Sequence, residues 1–341
     1  MSEGVSINSK KKLIIHIGTY KTGSSHVQNA FFDNRDFLKK AGVVYPLIGI
    51  DKNRNIGQGQ RSVLKGKKLP EIVEKLKADT QCDTYLISAE NLSNPYALDL
   101  SFDINARNCL QDIDVQIVMV LRSYVDFVTS LYRQFSKSRY LPDNFESFLN
   151  KPKQPHQWQK VIEFWMGIVG ADNINFVNYE QDKHDIVSAI LNVTNIKAEM
   201  PIVPTATTNP SLPCVAATLC RQLRPVHMGR EKILELSRAI ENIVASKPEY
   251  SSTSEFSKVE LNILKERAIK EVDFIASNFD LSFSTENLLK HKPVTLDKAE
   301  HMRQVKAVMA DLLAGDHAIV KEHKKSLLKL YNRVSKTEDE I

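Results

Sequence analysis

Short apolar runs alternate with segments of helical spacing along the first half of the chain. A compact run at residues 13–17, Leu-Ile-Ile-His-Ile, is typical of a strand buried on both faces in a parallel sheet, and it ends at Gly18. A polar stretch follows, and residues 27–38 then carry apolar side chains at helical spacing. This part of the chain therefore predicts a strand, a polar loop and a helix.

Three further strands are predicted at residues 84–88, 115–121 and 174–177. A helix is predicted after the strand at 115–121 and another at 156–169, which Gly170 ends. Strands that alternate with helices indicate βαβ crossovers. We therefore predict an α/β fold in which a parallel sheet lies between two layers of helices.

Beyond residue 211 the pattern changes to long amphipathic helices. They are predicted at residues 215–223, 232–245, 261–278 and 302–334. Four prolines mark the junction, at positions 201, 204, 210 and 213. The pattern predicts two domains, an α/β core at 12–210 and a helical C-terminal region at 211–335.

The composition excludes some classes of protein but does not indicate a function. The 341 residues are 42% hydrophobic and 26% charged, and they include only 12 Gly and 13 Pro, which excludes collagen-like and disordered classes. The net charge of +5 is a mild excess that suits a small anionic ligand. It falls short of the dense basic surface of a nucleic-acid binder, so no nucleic-acid partner is expected.

The cysteine pattern and the hydropathy of the sequence predict where in the cell the protein is located. The four cysteines are scattered and show no zinc-ligand spacing, so neither a disulfide framework nor a metal site is expected. We therefore expect a reducing, cytoplasmic setting. No apolar run approaches the ~20 residues of a membrane span, so no transmembrane segment is expected.

The segment from Gly18 to Ser25, GTYKTGSS, lies between the first strand and its helix. Small residues there let backbone N–H groups turn inward, and the helix N-terminus adds partial positive charge. Lys21 adds a full charge. The segment is not a Walker A loop, because Lys21 precedes Gly23 instead of following it directly. It predicts an anion site, and the alternative is an ordinary strand-to-helix turn.

A second segment follows the strand at 115–121. Arg122 comes directly after that strand, and Ser130 lies eight residues on, about two turns into the next helix. Ligands of open α/β sheets bind at this edge, and a guanidinium matches two phosphate oxygens in one plane. These two residues predict a phosphate site. The alternative is a salt-bridged arginine with a serine on the helix surface.

Together the two segments resemble the sulfotransferase family that uses 3′-phosphoadenosine 5′-phosphosulfate (PAPS). The family has a Lys-containing, Gly/Ser/Thr-rich loop after the first strand, and an Arg at a strand end with a Ser eight residues on. The resemblance covers roughly residues 12–200, and the Asn-Pro-Ser-Leu segment at 209–212 is similar to a family segment near the nucleotide. The family's late Arg-Lys-Gly motif is absent. The resemblance implies PAPS as co-substrate, no metal, and these donor-binding residues: Gly18, Thr19, Tyr20, Lys21, Thr22, Gly23, Ser24, Ser25, Arg122, Ser130, Asn209 and Ser211.

The resemblance also implies an in-line transfer of the sulfuryl group to a hydroxyl. Lys21 would neutralise charge on the departing adenosine bisphosphate, and Ser24 and Ser25 would hold the phosphosulfate. Glu90 follows the strand at 84–88, where glycan and tyrosyl-protein sulfotransferases carry a catalytic Glu, so we take it as the general base. His16 is the rival base. The alternative for Glu90 is a residue that caps the next turn.

The acceptor implied by this resemblance is a carbohydrate or glycoconjugate hydroxyl. Two other functions stay open from the residues alone, a P-loop kinase or NTPase that uses ATP and a binding module without turnover.

Overall fold

The computed structural model describes residues 10–50, 59–64, 68–136, 144–152, 154–198, 200–201, 212–223, 229–250, 256–291 and 297–339. Within them the chain forms two compact units that interleave along the sequence. The first holds the described parts of residues 1–124, 152–208 and 268–290, and the second holds those of residues 125–151, 209–267 and 291–341. The domain division at 12–210 and 211–335 stays a prediction.

The first unit contains one sheet of five parallel strands in the order β2-β3-β1-β4-β5. The strands are β1 (Lys12–His16), β2 (Val43–Val44), β3 (Thr84–Ser88), β4 (Asp114–Leu121) and β5 (Ile174–Asn178). The predicted α/β fold with a parallel sheet is therefore confirmed. Strand β2 was not predicted, because two residues are too few to show a pattern.

Strand β1 lies in the interior of the sheet. Leu13 pairs with Tyr85 of β3 on one side and with Val115 of β4 on the other. Leu13, Ile14 and Ile15 have no solvent exposure. Such a strand has both faces covered, which explains why it reads as an unbroken apolar run.

The described residues form fifteen α-helices. They are α1 (Ser24–Asp33), α2 (Arg35–Lys40), α3 (Lys68–Ala78), α4 (Leu100–Leu110), α5 (Tyr124–Ser136), α6 (Phe145–Asn150), α7 (Trp158–Val169), α8 (Tyr179–Asp182), α9 (Ile186–Val193), α10 (Cys214–Gln222), α11 (Arg230–Ser246), α12 (Lys258–Asn278), α13 (Glu286–Leu289), α14 (Lys298–Ala314) and α15 (Ala318–Asp339). In that part of the chain, no helix combines the length and the apolar character that crossing a membrane requires.

Helices cover both faces of the sheet within the first unit. Helices α1, α2 and α9 share an apolar cluster with Ile14 of β1, Leu86 of β3 and Val118 of β4. Helices α3 and α7 contact β1 and β4 but lie outside that cluster, and α4 packs against both of them. Because side chains alternate between the faces of a strand, two apolar layers form, one on each side of the sheet.

The second unit has a helical core of its own. Apolar side chains of α10, α11, α14 and α15 form it, among them Leu219, Leu236, Val308 and Leu327. The single helix predicted at 302–334 is wrong, because the chain leaves the helical conformation at Gly315, where ψ is 153°.

Candidate active site

The carboxyl ends of the strands meet at one edge of the sheet, since all the strands are parallel. The loop of residues 18–23 follows β1, Glu90 follows β3, Arg122 follows β4 and Tyr179 follows β5. Ligands of open α/β sheets bind at this edge. The fold therefore places the predicted loop, Glu90 and Arg122 on one side of the first unit.

Hydroxyl groups hold the loop after β1 in a tight turn. Thr19 donates through Oγ1 to the carbonyl of Val120 in β4 at 2.6 Å, which ties the loop to the neighbouring strand. Thr22 and Ser24 donate to the carbonyl of Thr19 at 2.6 and 3.1 Å. All three donors are buried. Their hydroxyl protons therefore shape the loop, and the predicted contacts of Thr19, Thr22 and Ser24 with the donor stay predictions.

The backbone of this loop has an unusual succession of positive φ angles. They are 45° at Gly18, 66° at Lys21 and 80° at Gly23, and Lys21 is one of two residues other than glycine with a positive φ in the described part of the chain. Helix α1 begins after Gly23 without a side-chain cap. The first N–H groups of any helix have no intrahelical partners, so these can bind an anion, and the predicted anion site stays a prediction.

The carboxyl group of Glu90 lies among residues of this loop. It interacts electrostatically with Lys21 and Arg61 and is within hydrogen-bonding reach of the Ser24 hydroxyl. Burial raises the pKa of Glu90, while the charges of Arg61 and Lys21 oppose that rise. The structure therefore brings the predicted base and the predicted Lys21 together in one site.

Tyr20 and Arg61 complete the surroundings of Glu90. The Tyr20 hydroxyl is hydrogen-bonded to Asn94, and Tyr20 interacts electrostatically with both Glu90 and Arg61. Burial, reinforced by the Glu90 charge, raises the pKa of Tyr20 above its usual value. A phenol and a guanidinium therefore lie near Glu90, with the Asn94 amide on the phenol, and each of these groups can hydrogen-bond a hydroxylated ligand.

Sequence reasoning missed Arg61, which belongs to a short 3₁₀ turn, Arg61–Leu64. Its carbonyl accepts a hydrogen bond from Asn91 at 2.8 Å. The preceding Gln60 is fully buried and anchors the turn to β3, because its Oε1 accepts from the Ser88 N–H at 2.8 Å and its own N–H donates to the Ser88 carbonyl at 2.9 Å. No motif marks this arginine, since only long-range pairing brings it to the strand end.

His16, the rival base, lies beneath the loop and is 1% exposed. Its Nδ1 shares a hydrogen bond of 2.8 Å with the Ser88 hydroxyl, whereas its buried Nε2 has no hydrogen-bond partner. Nε2 lies 3.2 Å from where a Cβ on Gly18 would stand. Desolvation lowers the pKa of His16 to about 3, so the imidazole is neutral near pH 7.

Arg122 reaches back to the loop. Its Nη1 donates to the carbonyl of Lys21 at 3.2 Å, and its guanidinium carbon is 5.5 Å from the centroid of the Tyr179 ring. Its Nε is 3.7 Å from Oε1 of Glu180. Sequence reasoning assigned no role to Tyr179 or Glu180, although their position directly after β5 could have suggested one.

Four predicted site residues remain to be placed: Ser25, Ser130, Asn209 and Ser211. Ser130 is buried in α5, in the part of that helix that belongs to the second unit. Asn209 and Ser211 lie outside the described residues. Ser25 is half-buried in the first turn of α1. Within the described ranges, no group of three or more His, Cys, Asp or Glu side chains is placed to hold a metal ion.

A family model described as the sulfotransferase domain matches residues 11–196, which is more than half of the chain. The chain therefore belongs to the sulfotransferase family. It is a PAPS-dependent sulfotransferase, an enzyme that transfers a sulfuryl group from PAPS to an acceptor.

Two solved sulfotransferase structures are similar to this chain at low sequence identity. A sulfotransferase from Alicyclobacillus acidocaldarius is 14% identical, with 65% of this chain and 93% of that chain covered and a TM-score of 0.34. The mouse sulfotransferase SULT7A1 in complex with PAP is 14% identical, with 79% of this chain and 86% of that chain covered and a TM-score of 0.36. No curated protein matches the chain.

Proposed function

We propose that the acceptor is a hydroxyl group of a carbohydrate or glycoconjugate, and that Glu90 is the general base. The observation that carries this proposal is the position of Glu90 beside Lys21 at the sheet edge. An alcohol is a poor nucleophile until its proton is removed, so a general base is needed where the acceptor oxygen attacks, and a carboxylate can serve. The polar groups of Tyr20, Asn94 and Arg61 suit a ligand with several hydroxyls.

The loop of residues 18–25 and Arg122 would hold PAPS. Three features of the first unit fit such a polyanion: the uncapped N-terminus of α1, the Lys21 charge and an Arg122 Nε that has no hydrogen-bond partner. PAPS supplies an activated sulfuryl group on a phosphate leaving group. The roles of Ser130, Asn209 and Ser211 toward its nucleotide are part of this proposal.

Each residue near the reacting atoms then has one task. Glu90 takes the acceptor's proton as the acceptor oxygen forms its bond to sulfur. Lys21 neutralises the negative charge left on the phosphate oxygen when the old sulfur–oxygen bond breaks. His16 is buried and neutral, so we assign it to support of the loop and give the base role to Glu90.

The test combines labelled PAPS with Glu90→Gln and a control, Glu74→Gln, which alters an exposed carboxylate of α3. Binding of adenosine 3′,5′-bisphosphate, measured by titration calorimetry, should be the same in both variants and in the wild type. Transfer of label to fractionated cell extracts should fall by about 10²-fold or more in Glu90→Gln alone. Undiminished transfer in that variant would remove Glu90 as the base.

The acceptor class has its own readout. Labelled products are treated with glycosidases, and label released with sugar fragments supports a carbohydrate acceptor. Label that stays with protein or with a small non-sugar molecule refutes it. We also propose a cytoplasmic location, supported by the scattered cysteines, and fractionation of cells that carry a tagged chain tests it.

A further inference from the structure

Arg122 and Glu180 form an ion pair in which neither partner is hydrogen-bonded to the other. The distance from Arg122 Nε to Glu180 Oε1 is 3.7 Å, which is within range for charge attraction but too long for a hydrogen bond. Both atoms are buried, and neither has a hydrogen-bond partner. The side chains are 21% and 30% exposed. The two side chains therefore attract each other by charge, but the Arg122 Nε and Glu180 Oε1 atoms lack hydrogen bonds.

The rest of the arginine is held in place. Nη1 donates to the Lys21 carbonyl, and the guanidinium lies near the Tyr179 ring. Glu180 is fixed at its backbone, because its N–H donates to Oδ1 of the buried Asn178 at 3.0 Å. The Glu180 carboxylate is thus the more movable partner, since several side-chain bonds separate it from that anchor.

A buried charged N–H without an acceptor is unfavourable, and it is satisfied when an oxygen comes within about 3 Å. A phosphate dianion offers more charge than a carboxylate, and its oxygens match the guanidinium in one plane. Two anions at the same Nε repel each other. A phosphate that binds Arg122 there must therefore displace Glu180.

We infer that Glu180 is a displaceable counter-ion of Arg122: it neutralises the arginine in the empty enzyme and gives way to the 3′-phosphate of the nucleotide. This inference rests on the proposed function, in which Arg122 receives that phosphate. Glu180 lowers the affinity for every nucleotide that carries a 3′-phosphate, because each must break the pair first. The bisphosphate product keeps that phosphate, so the same competition speeds its release.

The test measures binding of two nucleotides by calorimetry, adenosine 3′,5′-bisphosphate and adenosine 5′-monophosphate, which lacks the 3′-phosphate. Glu180→Gln keeps the shape of the side chain and removes its charge. It should tighten bisphosphate binding by about threefold or more, the scale of a partly exposed ion pair, and leave monophosphate binding unchanged. In an Arg122→Gln background the same substitution should have no effect. Glu74→Gln is the matched control and should change neither affinity.

Three results overturn the inference. Weaker bisphosphate binding by Glu180→Gln would show that Glu180 orients Arg122 for the phosphate. Equal tightening for both nucleotides would show a general effect of charge. Tightening that persists in Arg122→Gln would show that Glu180 acts on another group.

Failure of the proposed function gives a different pattern. The wild type would then bind both nucleotides with equal affinity, and Arg122→Gln would change neither.

Discussion

Gly18 is the position where the structure allows least room for a side chain in the loop after β1. Its φ is +45°, and a Cβ there would lie 2.8 Å from the Ser24 hydroxyl oxygen and 3.2 Å from Nε2 and Cε1 of His16. Gly42 has a φ of +77° but would meet nothing within 4 Å. Both glycines therefore have a positive φ, but only at Gly18 would a Cβ come close to other atoms.

Replacing each glycine by alanine separates the two effects. The positive φ costs an alanine about 1–2 kcal/mol at either position. Crowding against Ser24 and the packed His16 adds about 1–3 kcal/mol at Gly18 only. Gly18→Ala should thus lower the free energy of unfolding by about 1–3 kcal/mol more than Gly42→Ala does. The loop can relieve this crowding by moving, and nucleotide binding must then return it to its original position. If that return costs about 1.4 kcal/mol, the affinity for adenosine 3′,5′-bisphosphate falls about tenfold.

Urea unfolding of both variants measures the first quantity, and calorimetric titration with the bisphosphate measures the second. Gly42→Ala should bind the nucleotide like the wild type. Equal destabilisation by the two substitutions, together with unchanged nucleotide binding by Gly18→Ala, would refute the reasoning. The loop would then tolerate a side chain at Gly18, and its close packing would have no part in donor binding.

Two further predictions concern pH. The pKa of His16 falls from 6.5 to about 3 on folding, so the unfolded chain binds more protons and stability is lost as pH drops from about 6.5 to about 3. His16→Asn should make the free energy of unfolding, measured with urea, depend less on pH over that range. Substitution of the exposed His184 is the control and should not have this effect. An unchanged pH dependence in His16→Asn would contradict the prediction. Arg61 lowers the pKa of Glu90, so Arg61→Gln should raise that pKa and move the acid limb of transfer activity to higher pH. Arg61→Lys should return the acid limb of transfer activity to its wild-type pH. If the acid limb of Arg61→Gln stays at the wild-type pH, Arg61 does not lower the pKa of Glu90.

The sequence was most informative where structure is local. Strand β1 was predicted from the run at residues 13–17, which has four apolar residues and a histidine, because a strand covered on both faces has no polar alternation. Glu90 was singled out because it follows a strand at the position where the resembled glycan and tyrosyl-protein sulfotransferases carry a catalytic Glu. The break at Gly315 was missed, since a single glycine between two amphipathic stretches leaves the helical spacing almost undisturbed.

The sequence by itself predicted four of the five strands in the described residues, the polar loop after β1 and the residues that follow those strands, since all of these depend on neighbours along the chain. Only the tertiary structure decided which of those residues meet. Arg122 donates to the carbonyl of Lys21 across 101 residues of sequence, and Arg61 joins Glu90 through a buried glutamine that carries no recognisable pattern. The order of the strands in the sheet sets such contacts, and that order depends on pairing between segments that are far apart in the sequence.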